Sequence, residues 1–292
     1  MRTLVLEKFG VLNDQGSSAG ASRQFRLQYA QAYMSELSLV SQEFWAEFQG
    51  FSQSPLIQLN GSLWFGDPTL DKSQIETRFP FQNLPADYSG FFQANGGIIN
   101  LKQTEAAAFN AALSTGCVDI HEFEPSSHIG QSGRGVKVTT ALGAYKGAKL
   151  AICAGAYVND TLRQLDLSLG IDIWQMSSAY FAKTAPQVKL PTWFVFQAPS
   201  DTSLFYGFPE VDWAHPGYLR VATDFPDRVL SDPSQRSFIP SAKSLALDEA
   251  WVSDHMTGLD PTPRLTATCL IALAQQKDRE FLLDYTPAWG AE

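Results

Sequence analysis

The groups best suited to do chemistry crowd into one stretch, Gly16-Ser17-Ser18-Ala19-Gly20-Ala21-Ser22-Arg23-Gln24-Phe25-Arg26. Its two glycines let the backbone approach a ligand closely or take positive φ at little cost. Ser17, Ser18 and Ser22, together with free backbone N–H groups, offer donors to a phosphate or carboxylate. A helix following directly would add its positive end. Arg23 and Arg26 share a face if the chain is helical there. The stretch reads as an anion-receiving loop feeding a helix; the alternative is a polar connector with two solvated arginines.

The elements around this loop have to place it. Thr3 to Phe9 is a short apolar run closing on an acid, the form of a buried parallel strand. In dinucleotide-binding folds an acid at the end of the second strand takes the ribose hydroxyls, about twenty residues after a glycine fingerprint. Glu7 occupies that position, while no G-x-G-x-x-G occurs in the chain.

The 292 residues, 45% of them hydrophobic, suffice for one large or two ordinary domains. A net charge of −9 with no basic cluster argues against a nucleic-acid partner. No run reaches membrane-spanning length, and the amino terminus has no signal-peptide core, so no membrane partner is expected and the cytoplasm is the default compartment, with the peroxisome left open. Cys117, Cys153 and Cys269 are too scattered for a disulfide framework, and the four histidines show no ligand spacing, so no metal is assigned.

Apolar residues at Tyr33, Leu37, Val40, Phe44 and Phe48 predict a helix over 31–48 with that face buried. Ser54 to Gly66 reads as a strand pair turning at Gly61, and 71–89 as loop plus a short helix. Asn95 to Asn100 re-enters regular structure before a helix over 104–113. Strands are expected over 117–123, 135–140 and, buried, within 147–154. Beyond Leu169 the pattern changes to short aromatic-rich strands around Ile173–Met176, Tyr180–Ala182, Trp193–Phe196, Leu204–Phe208 and Tyr218–Ala222, an antiparallel sheet. A short helix over 248–256 and strands over 265–273 and 281–285 complete the reading.

Leu4 to Glu7, followed by Gly16-Ser-Ser and Ser22-Arg23-x-x-Arg26, resembles the FAD-dependent sarcosine oxidase and N-methyltryptophan oxidase family of the D-amino-acid oxidase superfamily. Leu150-Ala-Ile-Cys-Ala154-Gly155-Ala-Tyr157 is similar to that family's strand-to-turn element beside the cofactor. The resemblance implies an α/β (mixed α+β) fold: an incomplete FAD-binding Rossmann-like domain over 1–50, 93–171 and 267–292, and an antiparallel-sheet substrate domain over 51–92 and 172–266. It covers nearly the whole chain, without the family's N-terminal glycine fingerprint and C-terminal flavin-contacting segment.

What the resemblance implies for chemistry is oxidation of the C–N bond of secondary amines or N-methyl amino acids, with FAD as cofactor and oxygen as electron acceptor. Arg23 would pack near the flavin and Arg26 would hold the substrate carboxylate. Glu7, Ser17, Ser18, Ser22, Arg23, Ala154, Gly155 and Cys269 would line the cofactor, Cys269 aligning with the cysteine that tethers flavin through its 8α carbon. Arg220 stands where the family has a lysine that promotes reaction with oxygen, and Tyr206 lies on a strand walling the substrate pocket. From the residues alone, Cys269 is equally a buried core cysteine, Tyr206 a core aromatic and Arg220 a strand residue paired with an acid such as Asp224. Three alternatives stand beside the oxidase: a dehydrogenase acting on amino acids or glycated amines, a non-catalytic remnant serving as an interaction module, and a split subunit whose flavin site a partner chain completes.

Overall fold

Alternation along a few strands produces a sheet with two unlike faces, and the rest of the chain is arranged on either side of it. In a computed structural model the described residues are 1–29, 31–195, 204–275 and 281–286. The first half runs β1 (Thr3–Leu6), β2 (Ser22–Phe25), α1 (Ala32–Phe48), β3 (Ile57–Leu59), β4 (Ser62–Asp71), α2 (Lys72–Arg78), β5 (Ser89–Gln93), β6 (Gly97–Asn100) and α3 (Leu101–Ser114). Next come β7 (Val118–His121), β8 (Ser126–Ser132), β9 (Gly135–Thr140), β10 (Ala144–Gly147) and the short α4 (Val158–Leu162). The second half holds β11 (Ile171–Lys183), β12 (Thr192–Val195), β13 (Phe205–Phe208), β14 (Tyr218–Thr223), β15 (Arg228–Leu230), α5 (Ala242–His255) and β16 (Leu259–Ala274).

The large sheet has the order β15-β11-β14-β13-β12-β4-β5, with β16 antiparallel along the other side of β11. Because side chains alternate, residues 179, 181, 219, 221, 205, 193, 195, 63 and 65 share one face. That face is apolar, and it forms the main core with Ile75 of α2 and Trp251 and Val252 of α5. Residues 176, 178, 180, 206, 208, 220, 222 and 269 lie on the other face, which looks toward β2-β6-β3, a separate three-stranded sheet with β6 in its centre. Gly97 allows that small sheet to close: a Cβ there would meet the Gln58 carbonyl oxygen at 2.2 Å.

Several sequence expectations change. From Ser22 the chain is a strand, paired antiparallel with β6, and α1 starts only at Ala32, so no helix directly follows the serine loop. Residues three apart across an extended segment lie on opposite sides, so Arg23 and Arg26 do not share a helical face. Helix α1 forms where the periodicity predicts it, but rotated: Met34, Ser38, Ser41, Trp45 and Phe48 turn inward, Trp45 meeting Phe25 edge-on, while Tyr33, Leu37, Val40 and Phe44 are exposed. Two strands flank Gly61 as the 54–66 reading expects, but they do not pair with each other: Gly61, at φ 83°, sends β3 to β6 and β4 to β12 and β5.

Residues 150–154 form no strand and stay largely exposed, because β1 pairs only with β7, in a two-stranded parallel sheet that offers them no neighbour among the described residues. Residues 281–285 form no strand and are exposed. Two predicted strands merge into the single β11, and α5 is longer than expected. Phe196, in the predicted 193–196 strand, lies outside the described residues. No described helix is long and apolar enough to cross a membrane.

Three polar groups are buried in the main core without hydrogen-bond partners among the described residues: the indole N–H groups of Trp193 and Trp251 and the carboxyl of Asp248. Asp248 of α5 is 0% exposed and neither carboxylate oxygen is bonded, one turn beyond the Ser244 hydroxyl that meets Ser177 of β11. Burial, against the pull of Arg220, pushes this carboxyl up to about 8. The folded state therefore holds a proton that the unfolded chain releases near pH 4, and stability falls as pH rises from there toward 8. Asp248→Asn is expected to flatten that decline in the melting temperature and to be the more stable form above pH 8; an unchanged slope would contradict the buried-acid assignment.

Candidate functional site

The sheet face opposite the core carries an aromatic and cationic surface. Phe194 stacks on Tyr206, ring centroids 4.9 Å apart and planes 7° apart, and on Trp64 at 5.9 Å. Tyr206 and Phe208 of β13 face Ala222 and Arg220 of β14, and Tyr180 of β11 lies directly across from Arg220. Cys269 of β16 sits opposite Met176 on the same face, half-buried.

Arg220 is 7% exposed; its Nη2 donates to the Tyr206 hydroxyl at 3.3 Å, its guanidinium lies 5.0 Å from the Phe208 centroid, and its Nε has no partner. Burial pushes the Tyr206 hydroxyl above its ordinary value despite the neighbouring Arg220 charge. The expected pairing of Arg220 with Asp224 does not form. Asp224, two alternations along the strand direction from Arg220, is pushed up to about 6 by burial, and the charge that opposes this is that of Arg26.

Above the sheet, the serine loop works in the opposite sense to an anion-binding loop. Its carbonyl oxygens point inward and receive cations. Arg23 donates through Nη2 to the carbonyls of Ser17 and Ala19 (the latter at 2.8 Å), and through Nη1 to that of Ser22 at 2.7 Å. Lys102 Nζ takes the carbonyls of Leu12, Asn13 and Ser18 at 3.1–3.3 Å and pairs with Asp14 at 2.9 Å. The Ser17 and Ser18 side chains are exposed, and Ser22 is buried in β2. Burial, and then the nearby Arg220 charge, lower the Arg23 pKa, but a guanidinium remains charged. Arg23, Arg220 and Arg236 all come within electrostatic reach of Cys269, and among the described residues none of the three is paired with a carboxylate side chain.

Arg26 is placed differently. Its guanidinium lies 4.1 Å from the Tyr29 centroid and 4.4 Å from that of Trp64, without a hydrogen bond or ion pair among the described residues. Aromatic faces fix its orientation while leaving its donors free.

The structure thus gathers Arg23, Arg220, Tyr206 and Cys269 around one surface, with Arg26 at the Trp64 end. Glu7, at the end of β1, accepts from its own chain at Phe9 N (2.8 Å), and Ala154 and Gly155 lead into a turn before α4. Asp224 enters the sequence reading only as a partner for Arg220, and Tyr180, Phe194 and Trp64 are missed as site residues. Alternation along β11 from Met176 puts Tyr180 on the Arg220 face, whereas Arg236 carries no sequence signal. Among the described residues no group of three His, Cys, Asp or Glu is placed to hold a metal.

Comparison with known proteins bears on the fold and the family. The family model "FAD dependent oxidoreductase" matches residues 1–287. A putative bifunctional amine oxidase of Dictyostelium discoideum is 27% identical over 98% of this chain and 31% of its own length. The peroxisomal sarcosine oxidase of Homo sapiens is 24% identical, over 99% of this chain and 78% of its own. NikD, described as an unusual amino acid oxidase essential for nikkomycin biosynthesis, superposes in its open form with a TM-score of 0.86 and 33% identity, over 95% of this chain and 77% of its own.

A buried cation lacking a counter-ion costs stability. Arg220→Met is therefore expected to raise the urea-unfolding free energy by about 1 kcal/mol or more. A loss of stability of that size would show that Arg220 is a structural residue whose charge is already compensated.

Proposed function

The chain belongs to the FAD dependent oxidoreductase family, and on that premise we propose that it oxidises the C–N bond of an N-substituted amino acid, with oxygen as the acceptor. The observation that carries this reading is the uncompensated cation cluster on the aromatic sheet face, with the Arg220 Nε unpartnered and Cys269 beside it. Such a cluster fits an electron-accepting ring system that gains negative charge on reduction, and FAD is therefore compatible with the residues present. FAD, when bound, would supply the redox chemistry, taking up the two electrons and the hydrogen that leave the carbon next to nitrogen as the amine becomes an imine.

The protein's own groups bind and orient. Arg26, held between Tyr29 and Trp64, presents its free donors to the substrate carboxylate, a pairing that suits the planar fork of a guanidinium. Arg23 and Arg220 keep a positive potential over the sheet face, and Tyr206 with Phe194 forms an apolar wall that excludes water. Ser22, Ser17, Ser18, Glu7, Ala154 and Gly155 are assigned to the cofactor's surroundings by family resemblance, and Cys269 to holding its ring through a thioether. Asp224 is ionised above about pH 6 and then competes with the substrate carboxylate for Arg26.

The test is peroxide release by the FAD-loaded protein on a panel of N-methyl amino acids. Arg26→Met is expected to raise KM roughly 10- to 100-fold for substrates bearing a carboxylate, and far less for the corresponding amines lacking one. Equal effects on both series would remove the carboxylate anchor, and a protein that neither binds FAD nor releases peroxide would remove the oxidase.

A further inference from the structure

Helix α1 buries only one flank. The other presents Tyr33, Leu37, Val40 and Phe44, each 54–64% exposed and spaced four, three and four residues apart. With that spacing the four side chains form one seam along the helix, the form in which one helix receives another. A second row runs beside the first. Glu36, Glu43 and Glu47 recur seven and four apart, all exposed. At about 3.6 residues per turn they fall on the flank of the seam away from the inward-facing Met34 and Trp45. The helix carries no Lys or Arg, and none of the three carboxylates is paired with a cation among the described residues.

At the C-terminal end of α1 the seam meets a cleft of about 380 Å³ walled by Phe44, Trp45, Phe48 and Phe51, with Glu47 also lining it. Trp45 meets Phe48 edge-on with centroids 6.3 Å apart, and Phe51 lies 6.2 Å from Phe48. Phe25 of β2 backs Trp45 at 6.5 Å, so ring-on-ring packing sets the walls of the cleft.

Contiguous exposed apolar surface marks a place of association, and here the charge beside it selects the partner. An antiparallel pair of α1 helices from two copies would set acid row against acid row, on chains that each carry a net charge of −9. An anionic lipid surface is repelled for the same reason. A helix with Lys or Arg beside its own apolar stripe complements both rows at once.

We propose that α1 is a docking site for a basic amphipathic helix of a partner protein. That helix lays its apolar stripe along Tyr33, Leu37, Val40 and Phe44, sets its cations against Glu36, Glu43 and Glu47, and seats one large apolar side chain in the Trp45–Phe51 cleft. The surface is separate from the cation cluster on the large sheet, and its test needs neither cofactor nor turnover.

The probe is a synthetic helical peptide of about 18 residues, with leucines at the seam spacing and lysines in the adjoining row. Its counterpart has every lysine replaced by glutamate. Binding to the full chain is followed by isothermal titration calorimetry. The lysine peptide is expected to bind about tenfold or more tightly than the glutamate peptide, and to weaken by about tenfold with Phe44→Glu. Glu36→Lys combined with Glu43→Lys is expected to reverse the preference between the peptides. Glu249→Lys combined with Asp254→Lys, the same change of net charge placed on α5, is expected to leave it as in the wild type. All five positions are exposed, so the variants keep the fold. Failure of the lysine peptide to bind, or binding indifferent to Phe44→Glu and to the α1 charge reversal, overturns the proposal. So does a reversal produced equally by the α5 variant, which would reduce the effect to net charge. Self-association in sedimentation velocity that Phe44→Glu abolishes would give the seam to a second copy and overturn it as well.

Discussion

The structure depends on cations held by neutral oxygens. Backbone carbonyls of residues 12–22 receive Arg23, Lys102 and Arg236, so these side chains are oriented and their donors largely satisfied. A carboxylate partner would do the same work but cancel the charge. Carbonyls orient without cancelling, and in a half-buried site of low dielectric the surviving positive potential is strong. Of the three, only Lys102 is also paired with acids, Asp14 and Glu105.

The two-faced sheet makes this arrangement tolerable. Its apolar face with α2 and α5 carries the packing that stabilises the domain, and the opposite face is freed to hold groups that cost stability. Arg220, buried with an unpartnered Nε, and Arg23, crowded by it, are such groups. Asp248 is the corresponding irregularity on the packed side, a carboxyl kept neutral by burial beneath the strand that carries Arg220. Sites that must act on a ligand commonly retain this kind of local strain.

Much of the large sheet was legible because aromatic and β-branched alternation fixes which residues share a face regardless of partner order. Arg220, Tyr206 and Cys269 fell on one surface for that reason. The serine loop was legible as a site but not in polarity: composition reveals hydroxyls and glycines, whereas the direction of the carbonyls depends on Lys102, some ninety positions away in the chain. The α1 stripe misled because Tyr33, Leu37, Val40 and Phe44 form a more continuous apolar row than the inward-facing set, which is interrupted by Ser38 and Ser41, and periodicity cannot say which face has a neighbour. The 150–154 run failed likewise, a strand pattern without an adjacent edge to pair with. Arg236 was invisible because its partners, Asp14 and Thr268, come from both ends of the chain.

The most direct measurement is a crystal structure of the protein grown with FAD. The account predicts the flavin ring lying on the Tyr206–Arg220 face, within contact of Arg23 and with its dimethylbenzene edge at Cys269, and with the loop carbonyls still engaged by the cations. Flavin bound on any other surface, or Arg23 and Arg220 turning to carboxylate side chains in the complex, would contradict it.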